Sequence, residues 1–145
     1  MPPVCCLLLV RPGKEIAVKA VTLKFKQSVP VIASADVRKT IDFYANVLGF
    51  QEHFVYGDPP VYAGIKRDDA LLYIGHDPIL VQRLKDGGLN PDVFLWVEGV
   101  DELYQEHKAK GAKIVEDLAD RPWDARQYVI EDPSGYYLKI AQPID

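Results

Sequence analysis

The chain has 145 residues, 48% of them hydrophobic and 26% charged, the composition of one ordinary soluble domain with a proper core. A net charge of −4 supplies no concentrated basic face and argues against a nucleic-acid partner. The apolar run 4–10 is too short to span a bilayer and lacks the flanks of a signal peptide, and Cys5 and Cys6 are adjacent with no others to pair with, so a cytoplasmic protein with no membrane partner is expected.

Residues 1–27 differ in character from the rest and read as an N-terminal extension or arm. The alternation Val21, Leu23, Phe25 predicts a strand. This segment is either an added edge strand, swapped onto a partner, or, before about residue 21, a poorly ordered leader. A single domain is expected over 28–145. A strand is predicted at 29–33. Asp36 can cap a helix, because its carboxylate accepts from free first-turn N–H groups. Val37, Ile41, Tyr44, Val47 and Leu48 then fall at helical spacing, and Gly49 can end the helix in a left-handed conformation. Strands follow at 50–56, 61–66 and 71–75, separated by the turns Asp58-Pro59-Pro60 and Asp68-Asp69. Residues 76–91, rich in Pro, Gly and Asp, read as a linker. The same order then returns. It comprises a strand at 92–98, a helix capped by Asp101 and ended by Gly111, and strands at 113–116, 126–130 and 136–141. The turn Asp132-Pro133-Ser134-Gly135 joins the last two.

Asp36 and Asp101 stand 65 positions apart, as do the turns at Asp68 and Pro133, while the helix-ending glycines differ by 62. An internal duplication with a small deletion accounts for this, with modules at 28–76 and 92–142. Each module is β-α-β-β-β, giving an α+β fold with mixed, cup-shaped sheets. One such unit leaves a bare sheet face, so two units, or four in a dimer, should pack together.

The segments VPVIASADV (29–37), FYANVLGF (43–50), YAG (62–64) with RDD (67–69), WVEGVDELY (96–104), and PWDAR followed by DPSG occur in the order found in one superfamily. The chain thus resembles the vicinal-oxygen-chelate proteins, which include glyoxalase I, extradiol dioxygenases and bleomycin-resistance proteins; the last are the closest match. In metal-dependent members four ligands, usually His, Glu, His and Glu, sit on inward strand positions. The resemblance places these at Val29, at Leu72 or Tyr73, at Asp92 and at Lys139. A first-row metal needs three or four N or O donors, which this set does not supply, so no metal, no cofactor and no catalytic residue is expected. The three histidines, His53, His76 and His107, lack HxxxH or HxH spacing. A surface or structural role is expected for each, with His107 partly exposed on its helix.

On the predicted strand 92–98, Val93, Leu95 and Val97 should face the helix layer, and Asp92, Phe94, Trp96 and Glu98 the opposite side. In bleomycin-resistance proteins a cleft at the dimer interface is lined by aromatic rings that sandwich a flat ligand. The resemblance carries that role to Phe54, Tyr62, Phe94 and Trp123. Trp96 is added by its shared face, with Glu98 and Arg126 as polar contacts at the rim. Core or interface packing is the alternative for Phe54, Phe94 and Trp96, and pairing with Asp120 or Asp124 for Arg126. Pro30 matches a proline at the end of an arm that crosses to a partner subunit, which implies a homodimer. The implied role is metal-independent sequestration of a planar small molecule, with antibiotic resistance as its biological form. A lyase, isomerase or dioxygenase with an atypical metal site is the alternative.

Overall fold

The structure, a computed structural model, describes residues 20–145; the expectations placed on 1–19 lie outside the described residues. Asp36 behaves as its sequence position requires: its carboxylate accepts from the Lys39 N–H at 3.2 Å and starts α1 (Val37–Asn46). Before it runs β1 (Val31–Ser34), and after it β2 (Gln51–Tyr56), β3 (Tyr62–Arg67) and β4 (Ala70–His76). A second helix, α2 (Pro78–Gly87), precedes β5 (Asp92–Trp96), α3 (Val100–Ala109), β6 (Lys113–Arg121), β7 (Ala125–Glu131) and β8 (Tyr137–Pro143). The strands form two four-stranded sheets, ordered β1-β4-β3-β2 and β5-β8-β7-β6. In each, the first strand lies parallel to the last and the remaining pairs are antiparallel. The two halves therefore repeat one β-α-β-β-β plan, and both sheets are mixed.

Three expectations are corrected. Residues 76–91 are not a plain linker but contain α2. The residues that suggested irregular chain are its caps: Asp77 accepts from the Leu80 N–H, Pro78 opens the first turn, and Gly88 closes it at φ 63°. Asp101 does not cap α3. Gly99 holds that position, and Gln142 of β8 accepts from the N–H groups of Gly99 and Val100 at 2.9 and 3.0 Å. A cap supplied from 43 residues away leaves no local signal. Asp101 instead lies in the first turn, where its charge suits the helix dipole. Finally, no strand forms over 21–25; residues 20–30 have no regular structure, and Phe25 is fully exposed. A strand needs a neighbouring edge, and none is offered to this segment among the described residues.

The core lies on the helix side of each sheet. Ile32, Ile41, Leu72 and Ile74 fill the first module, and Val93, Tyr128, Ile130 and Leu138 the second. Buried polar contacts join the two. The Tyr44 hydroxyl donates to Asp132 Oδ2 at 2.9 Å, and the Ala33 N–H donates to the Tyr136 hydroxyl at 3.0 Å. Asp132 Oδ1 also accepts from the N–H groups of Ser134 and Tyr136, both at 2.9 Å. Its carboxyl is pushed above the ordinary carboxylate range by burial, with these hydrogen bonds opposing. Among the described residues no helix is long and apolar enough to cross a membrane.

Candidate functional site

Each sheet has one face on its helix and one face turned away, and the side chains alternate between them. On the first sheet, Phe54 pairs with Gly64, Gly64 with Tyr73, and Tyr62 with Gly75. Leu72 and Ile74 are buried toward α1, so Tyr73 points the other way, onto the side of Phe54 and Tyr62. The three rings meet there. Phe54 and Tyr62 stack with centroids 6.1 Å apart and planes 20° from parallel, and the Tyr73 ring meets Phe54 edge-on at 5.2 Å. Glycines make room for them. A Cβ on Gly64 would lie 2.4 Å from Phe54 Cε1, and one on Gly75 3.4 Å from Tyr62 Cε2. The Phe54 ring thus lies over bare backbone.

On the second sheet, β5 alternates as expected. Val93 is buried, while Phe94 and Trp96 on the opposite side are 44% and 61% exposed. Their rings meet edge-on with centroids 4.8 Å apart. Phe94 pairs with Lys139 on β8, and the Lys139 ammonium donates to Asp92 Oδ2 at 2.8 Å.

The structure therefore brings Phe54 and Tyr62 together, and Phe94 and Trp96 together, on two different sheets. It adds Tyr73, which the sequence offered only as a remote metal donor. The signal for Tyr73 was present in the pattern Tyr62-Ala63-Gly64 and Tyr73-Ile74-Gly75, aromatic residues beside glycines on paired strands. Trp123 stands elsewhere, 59% exposed in the turn between β6 and β7. Glu98 follows the end of β5 and lines a cleft between the modules. Arg126 falls on the helix side of its sheet, with Tyr128 and away from Phe94. Its guanidinium is held by Asp101 at 2.8 Å and Asp120 at 3.1 Å, which raise its pKa further. The geometry thus gives it the local carboxylate pairing, through Asp120 and Asp101.

The positions matching metal ligands do not fit a metal. Leu72 is in the core and Tyr73, on the inward face, offers a single phenol oxygen; Val29 has no donor in its side chain, and the carboxylate of Asp92 is held by the cation that replaces the fourth ligand. No group of three His, Cys, Asp or Glu side chains converges among the described residues.

One histidine is placed differently from expectation. His107 is only 3% exposed, because α3 turns it onto β7, where Nδ1 lies 2.7 Å from the Tyr128 hydroxyl. Burial lowers its pKa from 6.5 to about 4, Arg67 and Lys110 act in the same direction, and Glu106 opposes them. The unfolded chain binds a proton near pH 6.5 that the folded chain refuses until about 4, so this group costs stability as the pH falls through that window. Urea unfolding at pH 7 and pH 4.5 should show wild type losing about 2 kcal/mol more than His107→Gln. The raised carboxyl of Asp132 acts in the opposite sense but is common to both proteins. Equal losses would show that His107 is not held neutral.

Two β-α-β-β-β modules, each with an aromatic face bare of helix, define the class of protein. Residues 26–140 match the model of the Glyoxalase/Bleomycin resistance protein/Dioxygenase superfamily, and the chain belongs to that family. It is 27% identical over 128 residues to bleomycin resistance proteins of Geobacillus stearothermophilus and Staphylococcus aureus, covering 81% of this chain and 97% of theirs. Among solved structures it is similar to TioX from Micromonospora sp. ML1, at 26% identity and a TM-score of 0.64, over 83% of this chain and 98% of that one. It is also similar to the bleomycin-binding protein of bleomycin-producing Streptomyces verticillus, solved with copper(II)-bleomycin, at 25% identity and a TM-score of 0.64, over 86% and 99% of the two chains.

Proposed function

We propose that this protein binds and sequesters a planar small molecule, without a metal of its own, by stacking it on the aromatic faces of the two sheets. The observation that carries this reading is the pair Phe94 and Trp96, large rings left in solvent on the side of the sheet away from α3. Flat rings offer much contact area at little side-chain entropy cost, so they suit a flat ligand. Phe54, Tyr62 and Tyr73 supply the second surface; Trp123 and Glu98, which lie apart from the ring pairs within one chain, would reach the ligand only at the rim of the shared cleft of a dimer. The bleomycin resistance relatives make bleomycin the first ligand to test and antibiotic resistance the corresponding role.

A homodimer fits the same reading. A second copy would bring the first sheet of one chain against the second sheet of the other and enclose both faces. Residues 20–30, exposed and without regular structure, would then form the arm that crosses, with Pro30 at its base; the Pro30 carbonyl accepts from the Tyr73 N–H at 3.0 Å.

Chelator-treated protein should quench or enhance its tryptophan emission saturably as metal-free bleomycin is added, at one or two ligands per dimer. Sedimentation at the same concentration should give twice the chain mass. A flat titration would remove bleomycin as the ligand, and a monomer would remove the shared cleft.

A further inference from the structure

We propose that the cleft between the two modules is a second binding site, which takes a cationic amine carried on an apolar, oxygen-bearing body. The cleft lies on the helix side of the sheets and encloses about 700 Å³, the volume of a small-molecule site. Leu48 and Phe50 wall it from the first module, and Val97, Leu103 and Ile140 from the second. These side chains set the apolar character of the body.

The charges at the cleft favour a cation. Asp68 and Asp69, in the turn between β3 and β4, stand at it together with Glu98, and no described cation pairs with any of the three. The one cation in the lining is already engaged. Arg67 Nη1 donates to the Leu48 carbonyl at 2.7 Å and to Glu106 Oε2 at 3.0 Å. Its guanidinium packs against Gly49, where a Cβ would come within 2.8 Å of Nη1. An anionic ligand would meet uncompensated carboxylates at the entrance and an arginine already occupied by Glu106.

His107 supplies the independent sign of a ligand. It lines the cleft and is almost wholly buried, yet its Nε2 has no hydrogen-bond partner. The Tyr128 hydroxyl has no described acceptor other than Nδ1, so Nδ1 accepts and Nε2 carries the ring hydrogen; this tautomer follows from the hydrogen-bond network. The nearest carboxylate oxygen, on Glu106, is 3.7 Å away, beyond hydrogen-bond reach. A buried donor left unmet is uncommon in a folded protein. An ether, carbonyl or hydroxyl oxygen on the ligand would meet it, once the neighbouring side chains shift to admit one.

This site lies apart from the stacking faces, although Trp96 and Glu98, which line it, also figure in the stacking proposal. Three aryl ethers sharing a naphthyl ring separate the possibilities: propranolol, with a protonated amine; 1-methoxynaphthalene, which is neutral; and 1-naphthoxyacetate, which is anionic. In NMR titrations of the full chain that resolve methyl, histidine and Phe/Tyr ring signals, propranolol should shift Leu103, Ile140 and the His107 ring, and should bind more tightly than the neutral ether. The anionic ether should bind most weakly. Asp68→Asn with Asp69→Asn should weaken propranolol about fivefold and leave the neutral ether unchanged; both residues are exposed, and Asn tolerates the positive φ of 50° at position 68. Equal binding of the three ethers would overturn the proposal. So would an unaltered affinity in the double variant, shifts confined to Phe54, Tyr62 and Phe94, or no shift at all at millimolar propranolol.

Discussion

Asp132→Ala is expected to lower the unfolding free energy by about 3–5 kcal/mol, the range for breaking a buried hydrogen-bonded carboxylate network. One carboxylate closes the β7–β8 turn through the N–H groups of Ser134 and Tyr136 and ties that turn to α1 through the Tyr44 hydroxyl. Removing it strands three buried donors, each costing about 1–3 kcal/mol when unmet. Tyr44→Phe removes this one contact between the modules but leaves the turn intact, and should cost less, about 1–2 kcal/mol. The Tyr44 phenol is held well above its usual pKa by burial and by Asp132, so it remains a donor at any working pH. Urea denaturation of both variants at pH 7 checks the pair of values. A loss below 1 kcal/mol for Asp132→Ala would mean that the turn, and the module contact it makes, contributes little to the fold.

The second large effect concerns binding. Phe94→Ala combined with Trp96→Ala should weaken metal-free bleomycin about 100-fold by calorimetry, at roughly tenfold per stacked ring. The urea midpoint should barely move, because neither ring belongs to the buried core. Phe54→Ala should weaken binding by a similar single-ring factor from the other sheet. Unchanged affinity in the double variant, with wild type binding normally, would place the ligand somewhere other than the aromatic faces. A matching loss of stability would instead make Phe94 and Trp96 packing residues.

Much of the architecture was legible in the sequence because its signals are local. The Asp36 cap, the helical spacing through Tyr44, the Asp68 turn and the strict alternation on β5 each depend on neighbours within a few residues. The failures share the opposite property. The cap of α3 comes from Gln142 on another strand. The burial of His107 is decided by β7, and the second partner of Arg126, beside the expected Asp120, is Asp101 on a helix 25 residues earlier. The linker reading of 76–91 failed for a different reason. α2 buries only Val81 fully, so its apolar stripe is too thin to stand out between its own cap residues. In the candidate site, Phe94 and Trp96 could be read from alternation, whereas Phe54 and Tyr62 were placed by the family resemblance. Whether two rings touch depends on register, and register placed Tyr73 beside Phe54 through Gly64.

Gly64 has a consequence for how the site can diversify. Because the Phe54 ring occupies the space where any larger residue would put its first carbon, position 64 and position 54 are not free to vary separately. A population selected on new ligands can trade one ring for another at Phe54, Tyr62 or Tyr73 in single steps. It cannot remodel the ground beneath them without first giving up the ring above. The adaptable surface is therefore the roof of the first sheet, and its foundation is closed to gradual change.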